Sequence, residues 1–229
     1  MKKLHYDGDP LLVAVDCIVF GFDKERLKLL LFKRKVAPYK DEWSLIGSFV
    51  KADENVSDAA HRILHESTGI SGIFLSELGS FSSPSRDPGG RVLSIAHYAL
   101  MRLEEQDVQA VKNFQARWFD VEDIPDLVLD HNDMVVKSLE RLRVNAQYHP
   151  IGFELLSEKF TIPQLQSLYE AIYQKKLDRR NFRKKIKAMG FLDKLDEKDK
   201  SSSKKGAYLY RFNKEEYEKL MKKGFNFDI

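Results

Sequence analysis

The stretch GSFVKADENVSDAAHRILHESTGI, residues 47–70, constrains the fold more than any other part of the chain. A polar loop runs into a helix whose two ends are both marked. Asn55 or Ser57 can accept a hydrogen bond from the free N–H groups of the first turn. Val56, Ala59, Ala60, Ile63 and Leu64 recur at helical spacing and give the helix one apolar face to bury. Gly69 supplies the left-handed residue that ends a helix. Positions 63, 66 and 67 follow an i, i+3, i+4 pattern and share one face, which reads Ile, Glu, Ser.

The spacing in this stretch resembles the Nudix box, Gly-x5-Glu-x7-Arg-Glu-U-x-Glu-Glu-x-Gly-U, where U is a bulky aliphatic residue. With Gly69 and Ile70 as anchors the match has no gap. Glu54, Arg62, Leu64, Glu66 and Gly69 fall on pattern positions. Ser48 stands at the opening glycine, and Ile63 and Ser67 each stand at a glutamate. The resemblance implies a Nudix-like fold that has lost its hydrolytic chemistry. In the family, carboxylates on this face hold a divalent metal against a pyrophosphate, because Mg2+ takes hard oxygen ligands. One carboxylate cannot assemble that set. No catalytic residue, metal ligand or cofactor is therefore assigned.

Other segments of the first half fit the same architecture. Residues 11–20 and 27–33 are dense in β-branched and aliphatic residues and read as buried strands. Residues 43–50 lead into the box and 73–81 follow it. Residues 91–103 and 116–121 read as further strands, and 131–143 as a helix with Val135, Leu139 and Leu142 inside. Strands and helices in this order predict an α+β chain. Its first part is an α/β/α sandwich around a mixed sheet.

Charge divides the chain. Residues 1–150 hold 19 Lys and Arg against 23 Asp and Glu, whereas residues 151–229 hold 19 against 12. An acidic part followed by a basic one points to a polyanion partner for the second. The junction is expected within residues 145–152, where Pro150 and Gly152 break helix. The predicted domains are 1–147 and 148–229. Cys17 is the only cysteine, so no internal disulfide forms. No stretch approaches the ~20 apolar residues of a membrane span. The N-terminus lacks a signal-peptide core, so a cytoplasmic location is expected.

The second domain reads as a winged helix-turn-helix. Thr161 caps a helix carrying Ile162, Leu165, Leu168, Tyr169 and Ile172 at helical spacing. After a turn at 174–177, Asp178 caps a second helix, 178–189, stopped by Gly190. Phe182, Ile186 and Met189 form its inner stripe. The outer face carries Arg179, Arg180, Asn181, Arg183, Lys184 and Lys187, suited to a major groove. Asn181 can read adenine or simply brace the first turn. Two strands, 191–195 and 207–212, then form a hairpin with Lys204 and Lys205 at its tip. Tyr208, Tyr210 and Phe212 are expected on one face of the second strand.

A degenerate Nudix box followed by FTIPQLQSLYEAIY, LDRRNFRKKI and GAYLYRF resembles the Nudix-related transcriptional regulators. That resemblance covers nearly the whole chain. It implies an effector-binding domain joined to a DNA-binding domain, acting as a homodimer on a palindromic operator in double-stranded DNA. Two branches are relevant: an AraR type that answers arabinose, and an NrtR type that controls NAD metabolism and answers ADP-ribose-like nucleotides. The stretch RDPGGRVLSIAHYAL and the apolar Ile63 look closer to the sugar branch, so a pentose effector is expected, with ADP-ribose as the alternative. An active Nudix hydrolase with a nucleic-acid-binding tail is the rival class. Effector-site candidates are Asp16, an acid in an apolar strand, Trp43, which can stack on a ligand, and Arg86, Asp87 and Arg91 around a Gly-Gly turn. For each there is an equally simple structural role: an internal hydrogen bond, core packing or mutual ion pairing.

Overall fold

The computed structural model describes residues 9–149, 151–200 and 205–224. Its first layer is a seven-stranded mixed sheet. β1 (Leu12–Phe22) is the spine. β6 (Val92–Arg102) runs parallel to it along its whole length, from Leu12↔Val92 to Phe22↔Arg102. The opposite edge of β1 is divided. β4 (Ile46–Phe49) pairs with its first half, and β2 (Leu27–Lys33) with its last residues. β3 (Trp43–Ser44) and β7 (Ala116–Asp120) both pair with β2, and β5 (Ser76–Phe81) forms the edge beyond β6.

Period-2 alternation sends β1 side chains to two separate cores. Val15, Cys17 and Val19 pack against the helix α1 (Val56–Thr68) through Ala59, Ala60, Ile63 and Leu64. Ile18, Phe20 and Phe22 pack on the other face with Met134, Val135, Leu139 and Leu142 of α3 (His131–Tyr148). A short helix, α2 (Glu105–Ala110), precedes β7. The sandwich is therefore α1, sheet, α3.

The α3-side core does not end at the first domain. Phe153, Phe160, Leu165, Leu168, Phe182, Ile186 and Phe191 belong to the same buried cluster. These residues come from the second domain. Its elements are β8 (Phe160–Thr161), α4 (Ile162–Tyr173), α5 (Arg179–Ala188), β9 (Leu192–Asp199), β10 (Ala207–Phe212) and α6 (Lys214–Lys222). The strands form a three-stranded sheet in the order β8-β10-β9.

Several expectations change. α3 runs to Tyr148, beyond the predicted end at 143 and through the first half of the expected junction. Ala146 is buried and the Asn145 side chain donates to Tyr98 Oη at 2.7 Å, so the extra turn has partners. Pro150 lies outside the described residues, as do Ser201–Lys204 of the wing loop. β9 continues to Asp199 instead of giving way to loop after 195, because it pairs with β10 as far as Ala207↔Asp199. The predicted two-stranded hairpin gains β8, and α6 was not foreseen. Tyr210 is buried and Phe212 packs on the core, but Tyr208 is exposed. Met189 is only half-buried. Among the described residues, no helix is long and apolar enough to cross a membrane.

Candidate functional site

α1 is built as its sequence dictates. The Asn55 side chain accepts from the Asp58 N–H at 2.9 Å, and Gly69 ends the helix at φ 76°. Arg62 is the hub of the loop. Its Nε and Nη2 donate to the two Glu54 oxygens at 2.8 and 2.5 Å, its Nη1 to Glu66 at 3.0 Å, and its Nη2 also to the Phe49 carbonyl. Those hydrogen bonds hold the Glu54 carboxyl down to about 2. The two glutamates that survive from the box are thus engaged by its arginine. Ile63 is 1% exposed and lies in the apolar core, and Ser67 offers a hydroxyl. Among the described residues, no three His, Cys, Asp or Glu side chains converge as a metal-binding set.

The opposite face of the sheet holds a buried polar cluster. Asp16 of β1 is 6% exposed. Its Oδ2 accepts from Ser94 Oγ at 2.5 Å and lies 3.6 Å from Arg86 Nη2. Arg86, from the β5–β6 loop, forks onto Asp130 through Nε at 2.9 Å and Nη2 at 2.7 Å. His131 opens α3. Its Nδ1 accepts from the Leu45 N–H at 3.2 Å, which places the proton of a neutral ring on Nε2, 3.6 Å from Asp16 Oδ1. Burial pushes His131 below its ordinary value and outweighs the pull of Asp16 and Asp130. Gly47 lies across from Asp16 in the β1–β4 ladder, and an added Cβ there would lie 2.0 Å from Asp16 Oδ1.

Two of the five effector candidates, Asp16 and Arg86, therefore meet in one cluster and are internally satisfied. The other three lie apart from it. Asp87 turns back to accept from the Gly89 N–H at 2.7 Å. Arg91 is exposed and donates to the Ser82 and Ser83 carbonyls. Trp43 packs edge-on against Phe119, at 4.8 Å between centroids, under Lys33. Sequence reasoning missed Ser94, Asp130 and His131. Ser94, a polar residue inside an apolar strand like Asp16, was the available signal. The Asp-His pair opening a helix was another.

In the second domain, Thr161 and Gln164 form a reciprocal cap on α4. The turn to α5 is held by Glu170 and Gln166, which bond the Leu177 N–H and carbonyl at 3.0 Å each. Asp178 caps α5 by accepting from the Asn181 N–H at 2.7 Å. Phe182 and Ile186 are buried, while Arg179, Arg180, Asn181, Arg183, Lys184 and Lys187 are all exposed. Lys205 is exposed in the turn just before β10, and Lys204 is outside the described residues. No ion pair among the described residues engages the α5 cations, whereas arginines elsewhere are paired: Arg26 with Asp120, and Arg86 with Asp130. An exposed cationic face left without carboxylates is chemically ready for phosphate.

Comparison with known proteins agrees with both halves. Residues 10–138 match the NUDIX domain model, and residues 152–212 match the NrtR DNA-binding winged helix domain model. Over 211 residues the chain is 31% identical to the ADPR responsive transcriptional repressor NtrR of Acinetobacter baylyi, covering 90% of this chain and 84% of that protein. Over 124 residues it is 37% identical to the ADP-ribose pyrophosphatase of Methanocaldococcus jannaschii, covering 54% of this chain and 70% of the enzyme. The structure of Shewanella oneidensis NrtR complexed with a 27mer DNA superimposes with a TM-score of 0.74 at 27% identity, covering 87% of this chain and 93% of that one. The NUDIX domain of the same protein, complexed with ADP ribose, gives 0.53 at 26% identity over 60% of this chain and 94% of that domain. With a Nudix fold and a winged helix matched along one chain, the protein belongs to the NrtR-type, Nudix-related transcriptional regulators.

Proposed function

We propose that this chain is a DNA-binding transcriptional repressor that responds to ADP-ribose and does not hydrolyse it. The observation that carries the reading is α5: a helix capped at Asp178, with Phe182 and Ile186 buried and its outer-face cations exposed and, among the described residues, in no ion pair. Arg179, Arg180, Asn181, Arg183, Lys184 and Lys187 would supply base and phosphate contacts, with Lys204 and Lys205 reaching phosphate from the wing. A homodimer would set two such helices in successive major grooves about 34 Å apart. The sensor would span residues 1–147 and the DNA-binding domain 148–229.

The choice of effector moves from a pentose to ADP-ribose. The Acinetobacter relative is named for its response to that nucleotide, and the Shewanella domain binds it. Nothing in the geometry favours a sugar over it. Asp16 and Arg86 are buried and paired, so their proposed role is to shape the site, whereas Asp87, Arg91 and Trp43 have surface to offer a ligand. The non-catalytic reading rests on the face of α1, where Ile63 is core and Glu66 is tied to Arg62.

The test uses DNA selected by the full-length protein from a random pool. ADP-ribose titrated into the complex should weaken binding, with a coupling of about 1–3 kcal/mol. Arabinose should leave it unchanged; the reverse outcome would restore the pentose reading. Incubation with ADP-ribose and Mg2+ or Mn2+ should release no AMP above background. Turnover of ~1 s⁻¹ or more, abolished by Glu66→Gln, would make the protein an enzyme.

A further inference from the structure

We propose that Lys194, Tyr208 and Lys198 form a phosphate clamp on the wing sheet, gripping the DNA backbone beside α5. The inference rests on the DNA-binding reading and extends the contact surface beyond the helix and the wing tip. Tyr208 is 38% exposed, and two ammonium groups converge on its ring. Lys194 Nζ is 3.7 Å from the centroid and Lys198 Nζ 4.5 Å. Like charges on long flexible stems separate in water unless something holds them together. Here the ring attracts both through its electron-rich face, and no carboxylate among the described residues is ion-paired with either.

The strand register creates the arrangement. Tyr208 pairs with Lys198, so a regular antiparallel ladder would put Asp196 opposite Tyr210. The register shifts instead, and Tyr210 faces Lys194. Irregularities of this kind re-aim side chains. This one sets a lysine instead of an aspartate across from Tyr210, next along β10 from Tyr208 on the alternating pattern. Neighbouring acids are used elsewhere: Asp193 accepts from the Asn213 side chain at 3.2 Å, and Glu197 accepts from Lys159 at 2.7 and 2.8 Å.

The location selects a nucleic-acid backbone as the anion. Tyr210, two residues from Tyr208 along β10, has Lys187 of α5 5.9 Å above its ring. The cationic face of α5 thus continues through Lys187 onto the lysine pair. A phosphodiester carries one negative charge to set between two ammonium groups, and the Tyr208 hydroxyl can donate to its oxygen.

The experiment measures DNA affinity of the full-length protein against salt concentration, with selected and scrambled duplexes. Lys194→Ala/Lys198→Ala should weaken both duplexes by the same factor. It should also flatten the slope of log K against log salt by about 0.9, the share of the one phosphate contact that is lost. The melting temperature should match wild type. Lys194→Arg/Lys198→Arg should keep the slope. Tyr208→Phe should keep the slope too, with a smaller loss of affinity. Wild-type affinity and slope in the double alanine variant would overturn the clamp. If Arg183→Ala still loses the selected duplex in that case, the DNA-binding reading survives alone. A wild-type protein that binds neither duplex at low salt would sink both. Inorganic phosphate that competes at millimolar concentration, with no DNA effect in the double variant, would make the pair a free-anion site and refute the clamp.

Discussion

Replacing Gly47 by alanine should unfold the protein far more easily than its place at the sheet rim implies. The glycine is not needed for its backbone, since its φ is outside the left-handed region. Space is the constraint. An added Cβ would lie 2.0 Å from Asp16 Oδ1, 3.1 Å from its Cγ and 3.0 Å from the Val15 carbonyl oxygen. The carboxylate is the only movable neighbour, and it is held by Ser94, Arg86 and His131. Displacing it forfeits a hydrogen bond to a charged group and overpacks a buried site, together about 3–5 kcal/mol. For a chain of this size the melting temperature should fall by roughly 6–20 °C. Removing the obstacle should remove most of the cost. In an Asp16→Ala background the cost of Gly47→Ala should shrink to what the Val15 carbonyl contact imposes, a coupling of about 2 kcal/mol or more in a double-mutant cycle. The readout is urea or thermal unfolding of the four proteins. A Gly47→Ala protein as stable as wild type would refute the steric argument. So would a penalty undiminished in the Asp16→Ala background.

His131 is held below its ordinary value near 6.5 by burial, so between that value and its lower folded-state value the unfolded chain binds a proton that the folded one refuses. Stability should be full above about pH 6.5 and fall on acidification below it. His131→Gln should flatten the pH 7.5 to 5 profile of the urea midpoint; His97, lowered by the same cause, supplies what remains. Arg143 of α3 donates to the Ile172 carbonyl at 3.3 Å and to the Gln174 side chain. Arg143→Ala should leave ADP-ribose binding and DNA binding individually intact while shrinking the effect of one on the other, as read in the titration of the protein–DNA complex. Ile63→Glu restores a box residue but buries a carboxylate among Cys17, Val19 and Leu64. It should cost roughly 3 kcal/mol or more, measured by chemical unfolding, and release no AMP from ADP-ribose.

Local signals were legible in the sequence. Asn55, Thr161 and Asp178 cap the helices they were expected to cap, and Gly69 and Gly190 adopt left-handed φ at the ends of α1 and α5. Such signals need only a few neighbouring residues. Pairings set by tertiary context were not legible. β8 is a two-residue strand whose partner lies almost fifty residues away in β10, so nothing local marks it. Tyr208 keeps the alternation of its strand yet is exposed, because among the described residues the wing sheet near its tip has no second layer that the sequence pattern could announce. α3 overran its predicted end because Ala146 and Asn145 find partners in distant elements. The buried cluster was half visible. Asp16 stood out as an acid in an apolar strand. Its partners Ser94, Arg86 and His131 come from three other segments, and no sequence period connects them.

Two losses and one gain in this fold point the same way. Ile63 and Ser67 take carboxylates from the face of α1 where metal chemistry would sit, and Arg62 occupies the two glutamates that remain. The opposite face of the sheet is joined to the winged helix by one continuous apolar cluster, from Ile18 and Met134 to Phe182 and Phe191. On the proposed reading as an effector-responsive regulator, this shared core is the physical link between the two domains. A ligand can alter DNA affinity only by binding one arrangement of the two domains better than another. That difference must reach α5 through solid matter. α3 is the route this reading implies: its first residues, with Asp130 just before them, are pinned to Arg86 and Asp16, and its last turns meet α4. Its 18 residues span about 27 Å. Close-packed interiors do not deform smoothly; they switch between discrete packings. A shift at the Asp16 cluster would therefore reach the helix-turn-helix as a repacking.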